Sequence, residues 1–434
     1  MAALGPFEES PLIAVGVSGG PDSMALCVLA EGWARRHGGR VLALVVDHRL
    51  RPESGHEARR VGGWLDDLAI DHVLLTRHGP AIPVAIHATA RAARYGLMGG
   101  CCRDRGILHL LLAHHRDDQA ETMLLRLERA SGLDGLAAMA AIDEEVAGGG
   151  LRLLRPLLDV SMARLRAVTA ARGLPFIDDP SNRDPAFGRA RIRRLAPCLA
   201  ADGVTSERLS RTAAALGHGR RILQAAVADF LAAAVTIHPA GFCRLDGEAY
   251  REAPHEIAVR ALARMLLCIG SGAYGPRGDS LGRLHEALSG DAHGSGRTLG
   301  GCRILPGPQG VLICREPRAV FGPAALETGG SVLWDGRFRL RAGGAGGPMT
   351  VRRLDRENWS RIPREQRETL RNMLPAAVRP SLPAVCDLDG VVAIPHLGYI
   401  RRGAGCGDDG AFTAEFRPAQ RLSPAVFAFA GASG

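Results

Sequence analysis

The sequence predicts an α/β protein, a doubly wound parallel sheet with two smaller C-terminal domains. Three observations predict it. Four short apolar runs, at residues 12–17, 41–46, 72–75 and 107–112, have the length and character of buried strands. Helical stretches at 24–36, 55–69 and 84–99 lie between them, and strands alternating with helices build a parallel sheet with ligands at the strands' carboxyl ends. Past residue 215 this alternation stops. Helical patterns at 207–235 and 249–268, Gly-rich loops at 270–278 and 289–301, and strand-like segments at 332–341 and 384–395 take over. The expected division is therefore 1–215, 216–329 and 330–434, and 434 residues suffice for two or three domains.

The first strand, Leu12 to Val17, runs directly into Ser18-Gly19-Gly20-Pro21-Asp22-Ser23, and a helical pattern follows from Met24 to Arg36. Strand, glycine turn and helix in this order form a phosphate cradle. Two glycines let the backbone approach a ligand, and the amides of the helix start face an anion with the helix dipole behind them. Ser18 and Ser23 can add hydroxyl donors, and Asp22 can hold a metal that bridges phosphates. The second strand ends at Asp47-His48 and the fourth at His114-His115, so both pairs sit where such a sheet keeps its chemistry. The densest polar cluster, Ala113-His114-His115-Arg116-Asp117-Asp118-Gln119-Ala120-Glu121-Thr122, leaves that fourth strand and enters a helix. Helical spacing from Asp117 puts Asp118, Glu121 and Thr122 on one face. Two carboxylates there can hold Mg²⁺ or grip an ammonium group; they equally suit an acidic helix start that complements the dipole.

Composition removes several classes. All 54 basic residues are arginine, so a Walker A loop and Schiff-base chemistry, both of which need a lysine, are excluded. A net charge of +9 favours a polyanionic partner. None of the ten cysteines forms a Cys-x-x-Cys pair, which fits reduced thiols and argues against an iron–sulfur thiolase. No basic residue precedes Arg35, as a signal peptide would require, and no uncharged apolar run reaches the roughly 18 residues of a membrane span. A cytoplasmic protein is expected.

Ser18 to Ser23 resembles the SGGxDS pyrophosphatase loop of the N-type ATP pyrophosphatases. These enzymes split ATP into AMP and pyrophosphate to adenylate an oxygen that must leave. Within that superfamily, Asp47-His48-Arg49-Leu50-Arg51 with Ser54 and Glu57 is similar to the DHxLR segment of the tRNA(Ile)-lysidine synthetase family. Residues 113–122 resemble its AHHxDDQxET motif, and Ala90-Arg91 with Arg94-Tyr95 its AR..RY helix. Ser131-Gly132, Gly135-Leu136 and Met139, then Arg155 to Leu158 and Asp179-Pro180-Ser181-Asn182, continue the series in order across 12–197. Two positions depart from the pattern. Ala130 stands where the family has Gly, a small change if that backbone does not need positive φ, and Ala190 replaces the Asn of an Arg-Asn pair at Arg189.

The resemblance implies an ATP- and Mg²⁺-dependent carbon–nitrogen ligase. It would adenylate the wobble cytidine of a tRNA(Ile) with anticodon CAU and let the ε-amine of L-lysine displace AMP. Ser18, Gly19, Gly20, Pro21, Asp22, Ser23 and Asp47 would bind ATP, with Asp22 also holding the metal. Asp22, His115, Asp118 and Glu121 would be the catalytic set, Asp118 and Glu121 gripping lysine. Arg91 and Arg94 would meet phosphate or the flipped nucleotide, and Tyr95 would stack on a base. The C-terminal units would hold the tRNA body through pairs such as Arg352-Arg353 and Arg401-Arg402. Neither membrane nor DNA is an expected partner. Two rivals remain at this point: a tRNA 2-thiolation enzyme on the same fold, and a non-catalytic RNA-binding protein that retained it.

Overall fold

The computed structural model describes residues 1–49, 53–77, 87–144, 151–178, 188–272, 274–290, 296–307, 310–343, 347–401 and 412–423. The chain divides into two compact units, Met1–Ile222 and Leu223–Pro424. In the first, strands and helices alternate: β1 (Leu12–Val17), α1 (Pro21–Arg36), β2 (Arg40–Asp47), α2 (Ser54–Asp67), β3 (His72–Thr76), α3 (His87–Asp104), β4 (His109–Leu111) and α4 (Arg116–Glu128). There follow α5 (Leu133–Leu136), β5 (Ile142–Asp143), β6 (Arg152–Leu154), α6 (Met162–Ala171), α7 (Gly188–Ala201) and α8 (Ser206–Ala234). The sheet order is β3-β2-β1-β4-β6-β5, parallel except for β5. Crossovers run outward from β1 to β3 and return to β4, so the order reverses between β1 and β4. That reversal opens a crevice at their carboxyl ends.

Alternate residues of each strand go to opposite faces of the sheet. Ile13, Val15 and Val17 of β1 pack with Val41, Ala43 and Val45 of β2 against Met24, Cys27, Val61, Leu65 and Leu165. Ala14, Leu44 and Leu110 face the other way, against Tyr95, Met98 and Cys102 of α3. Both faces are covered, so the strands read as unbroken apolar runs rather than alternating ones.

At the opposite, amino end of the strands, buried Arg152 and His109 fasten the residues ahead of β1. Arg152 donates to the carbonyls of Leu4, Gly5 and Pro6 at 2.9, 3.0 and 2.8 Å, and His109 Nε2 lies 2.9 Å from Glu8 Oε2.

The second unit opens with β7 (Val235–His238) and β8 (Phe242–Asp246), then α9 (Gly247–Glu252), α10 (His255–Gly270) and α11 (Gly278–Ser289). The single helix expected over 249–268 is two. Pro254 has no N–H to continue a helix and forces Ala253 out of the helical region, to ψ 140. The strands β9 (Arg297–Leu299), β10 (Cys302–Gly307) and β11 (Gly310–Arg315) complete the antiparallel sheet β7-β8-β11-β10-β9. Next come β12 (Ala324–Leu326), β13 (Ser331–Trp334), β14 (Phe338–Arg341), β15 (Met349–Arg353), α12 (Arg356–Ser360) and α13 (Arg364–Leu370). The unit closes with β16 (Pro383–Asp387), β17 (Gly390–Ile394), β18 (Tyr399–Ile400) and β19 (Thr413–Phe416). These form the sheets β12-β15-β16-β17-β18 and β13-β14-β19. The segments expected as strands at 332–341 and 384–395 are each a hairpin. The expected boundary near 215 lies inside α8, and the one near 330 lies inside the second unit.

The turn between β13 and β14 buries a charged triad. Asp335 accepts from Arg315 Nε at 3.1 Å and NH2 at 2.9 Å, from Arg337 Nε at 2.7 Å and from the Phe321 amide at 2.9 Å. All three charged residues are buried, and each guanidinium has the one carboxylate to answer it.

Candidate active site

The loop between β1 and α1 is shaped by sterics and by one hydroxyl. Gly19 has φ 84, and a Cβ there would stand 2.6 Å from Val61 Cγ2 and 3.1 Å from Ile177 Cδ1, so glycine is required twice over. Its carbonyl accepts from the Ile177 amide at 2.8 Å. Gly20 caps α1 and Pro21 occupies the first helical position, where its missing N–H costs nothing. Buried Ser23 is the hub: its Oγ accepts from the Ser18 amide at 3.2 Å and donates to the Gly20 carbonyl at 3.0 Å. Ser23 therefore shapes the loop, while Ser18 is the more exposed hydroxyl. Burial raises the Asp22 carboxyl above the usual range, opposed by nearby His115 and by the Ser23 amide and reinforced by Asp118. A carboxylate left in such a place gains from a cation.

At the end of β2, burial would raise Asp47, but the Ser54 hydroxyl at 2.7 Å and the Arg49 amide at 2.9 Å reverse it and hold the carboxyl low. Both bonds go to Oδ1, and they tie the strand end to the start of α2. His48 is pushed down by burial and by the charge of Arg94. Arg94 thus faces the β2 end, whereas Tyr95 is 7 % exposed within the apolar cluster behind the sheet. Its ring packs in the core, and the Arg94 guanidinium lies over it, 5.6 Å from the ring centroid. The Arg91 side chain, Leu50, Arg51, Asp179 to Asn182 and Arg402 lie outside the described residues.

At the end of β4, His115 caps α4 in a reciprocal box. Its Nδ1 accepts from the Asp117 amide at 3.2 Å, and its own amide donates to Asp118 Oδ2 at 3.1 Å. An accepting Nδ1 assigns the ring proton to Nε2, which stands 3.4 Å from Asp118 Oδ2. Asp117 and Gln119 of this helix are fasteners. Asp117 accepts from the Met162 amide at 2.8 Å, and Gln119 both donates to and accepts from Met139 at 2.9 and 3.0 Å. Arg155 holds the adjoining Ala140 carbonyl at 2.7 Å.

Glu121, one turn beyond Asp118, is buried and meets a residue that sequence reasoning missed. Arg193 of α7 donates from Nε to Oε1 at 2.6 Å and from NH2 to Oε2 at 3.3 Å. Burial lifts the Glu121 carboxyl, Arg193 pulls against it, and the balance stays above the usual carboxylate range. Asp118 Oδ1 lies 3.9 Å from Arg189 and 4.0 Å from Arg193. The available signal was spacing, since Arg189 and Arg193 stand at i and i+4 on one helical face. Ala190 between them is buried at 4 % exposure. Beside this pair lies a cavity of about 350 Å³, with His115, Asp117, Glu121 and Arg193 on its polar wall and Leu124, Ile192, Ala196 and Leu199 among its apolar residues. Its volume is in the range of small-molecule sites, roughly 300–1,000 Å³.

The condition attached to Ala130 fails. The residue has φ 49, and it ends α4 as a Schellman turn: its amide donates to Leu127 at 2.9 Å, and that of Ser131 to Arg126 at 3.0 Å. The position needs positive φ, so alanine sits there under strain.

The structure therefore gathers Ser18 to Ser23, His115, Asp118 and Glu121 at the carboxyl ends of β1 and β4, with Asp47 at the neighbouring strand end. A family model described as a PP-loop domain matches residues 2–199. A tRNA(Ile)-lysidine synthase of Bradyrhizobium sp. strain BTAi1 is 42% identical over 306 residues, covering 67% of this chain and 84% of that one. One of Methylobacterium sp. strain 4-46 is 41% identical over 333 residues, 76% and 90% of the two chains. Another, of Orientia tsutsugamushi strain Boryong, is 30% identical over 413 residues and covers 92% of each.

Proposed function

The chain belongs to the tRNA(Ile)-lysidine synthase family, and from that premise we propose how its residues divide the work. The activity is ATP-dependent lysidine formation in tRNA(Ile). In the first step the carbonyl oxygen at carbon 2 of the wobble cytidine attacks the α-phosphorus of ATP, and pyrophosphate leaves. In the second, the ε-amine of L-lysine attacks that carbon, loses a proton, and AMP departs with the oxygen. Adenylation is what turns a poor leaving group into a good one.

The observation that supports this reading is proximity: Asp22 of the phosphate loop after β1 lies within electrostatic reach of His115, Asp118 and Arg193 beside the end of β4. Ser18, Gly19, Gly20 and the first amides of α1 receive the phosphates, while Asp118 and Glu121 grip the ammonium. The apolar wall formed by Leu124, Ile192 and Leu199 suits an aliphatic stem. His115, held by Asp117 and Asp118, presents its Nε2 proton inside the site.

Mg²⁺ fits the chain as a cation shared with phosphate. Among the described residues no cluster of three His, Cys, Asp or Glu could hold an ion alone. Asp22 supplies one buried carboxylate at the helix start, and Mg²⁺ characteristically takes one or two carboxylates together with phosphate oxygens and water. Bound there, it would neutralise charge on the departing pyrophosphate.

Arg352 and Arg353, both exposed on β15, are proposed contacts to the tRNA body; Arg401 is already paired with Asp387. No helix among the described residues is long and apolar enough to cross a membrane. We place the enzyme with its tRNA in the cytoplasm. The test is transfer of labelled L-lysine, with ATP and Mg²⁺, into a tRNA(Ile) transcript with anticodon CAU, beside one whose wobble base is U. Label in the CAU transcript alone is expected. Label in neither, with folded protein that still binds tRNA, would overturn the assignment of the nucleophile.

A further inference from the structure

Glu121 carries a cation in the substrate-free site, and the two bonds that hold it are unequal. Arg193 Nε sits 2.6 Å from Oε1, a tight charge-assisted bond, whereas NH2 is 3.3 Å from Oε2 and 4.0 Å from Asp118 Oδ1. Nε is the anchor, and NH2 rests loosely between two carboxylates. The Arg193 side chain is 39% exposed and that of Glu121 8%. Both line the cavity. The guanidinium has room to withdraw and the carboxylate has none.

We infer that Arg193 is a positioning residue that keeps the amine subsite until the amino acid arrives: its NH2 occupies the slot between Glu121 Oε2 and Asp118 Oδ1 that the substrate ammonium takes, and it yields that slot while Nε stays on Oε1. The inference rests on the reading of Asp118 and Glu121 as the amine grip. A carboxylate buried this deeply is disfavoured as an anion unless it has a partner. With Arg193 in place, incoming lysine meets an ionised, oriented carboxylate. The exchange suits an ammonium, a compact charge with three donors that can bond two separate oxygens.

The test measures KM and kcat for labelled lysine with the full chain at saturating ATP and tRNA, at about pH 8, well above the ordinary carboxylate range. Wild type, Arg193→Ala, Arg193→Lys and Glu121→Gln are compared with and without a few millimolar guanidinium. Arg193→Ala should lower the KM for lysine about fivefold, the effect of removing one partly exposed competing ion pair. Guanidinium should restore the higher KM competitively in that variant, with kcat unmoved, and leave wild type unaffected. Arg193→Lys should give an intermediate KM. An unchanged or raised KM in Arg193→Ala, or guanidinium that restores kcat instead of competing with lysine, overturns the inference. Should Arg193→Ala fail to fold, as its melting curve would show, Arg193→Gln carries the same guanidinium expectation. Glu121→Gln separates the two levels. Unchanged lysine KM in that variant overturns the amine grip itself, whereas lost lysine affinity there without guanidinium competition in Arg193→Ala overturns only the placeholder.

Discussion

Replacing Ala130 by glycine should stabilise the protein, against the usual rule that glycine weakens helical segments. Ala130 follows α4 with φ 49, and its amide closes a Schellman turn onto Leu127. An L-residue with a Cβ pays about 1–2 kcal/mol to hold the left-handed region. Glycine escapes that strain but adds unfolded-chain entropy of about 0.4–1 kcal/mol. The balance favours Ala130→Gly by about 0.5–1 kcal/mol, a rise of roughly 1–4 °C in melting temperature for a unit of this size. Scanning calorimetry of the full chain checks it, with Ala167→Gly as the opposite control. Ala167 is an exposed interior position of α6, where glycine should cost about 1 kcal/mol. Destabilisation of Ala130→Gly comparable to that of Ala167→Gly would refute the strain reasoning. Because α4 carries Asp118 and Glu121 and the turn lies past both, lysine transfer should be unchanged by the substitution.

Further expectations concern the site and the second unit. Asp22→Ala should abolish pyrophosphate release, while Glu121→Ala should preserve release and lose lysine transfer; assaying both products separately decides it, and equal loss of both steps in Glu121→Ala would sink the division of labour. Burial, chiefly, lowers His396 to about 4 from an ordinary 6.5. The unfolded chain therefore binds the extra proton first, and stability present above pH 6.5 is lost as pH falls toward 4, by up to about 3 kcal/mol. Urea midpoints across that window should fall more steeply for wild type than for His396→Leu; parallel curves would exclude His396 as the cause. Asp335→Ala should cost about 3–5 kcal/mol, because it strands the buried guanidinium groups of Arg315 and Arg337. A loss below about 1 kcal/mol in denaturant titration would show that water or the backbone satisfies them instead.

What the sequence disclosed was mostly local. The β1 run, the glycine turn and the start of α1 are set by conformational preferences acting over a few residues, and the 3.6-residue period alone places Asp118 and Glu121 on one face. Arg193 escaped because its meaning depends on a carboxylate 72 residues earlier: its spacing from Arg189 shows a shared helical face, not what that face meets. The burial of Tyr95 was hard to read for a related reason. An aromatic next to an arginine on a helix can face solvent or core, and α3 mixes small, apolar and charged residues too evenly to say which. In the second unit, the hairpin segments were visible, yet pairings such as β8 with β11 and β14 with β19 join strands far apart in the chain. Only Pro254, a rigid local signal, was overlooked where it was legible.

The fastening of residues 4–8 beneath the sheet has a consequence for the order in which the molecule is made. Arg152 is synthesised 146 residues after Pro6, and no carbonyl of Leu4, Gly5 or Pro6 can find its guanidinium before then. Until then the carbonyls of this segment lack the guanidinium that holds them at the amino end of the strands. When β6 emerges and seats itself against β4, one side chain secures three carbonyls in a single event. Nascent chains stalled short of residue 152 should therefore expose this segment to protease, and those released past the whole first unit should protect it.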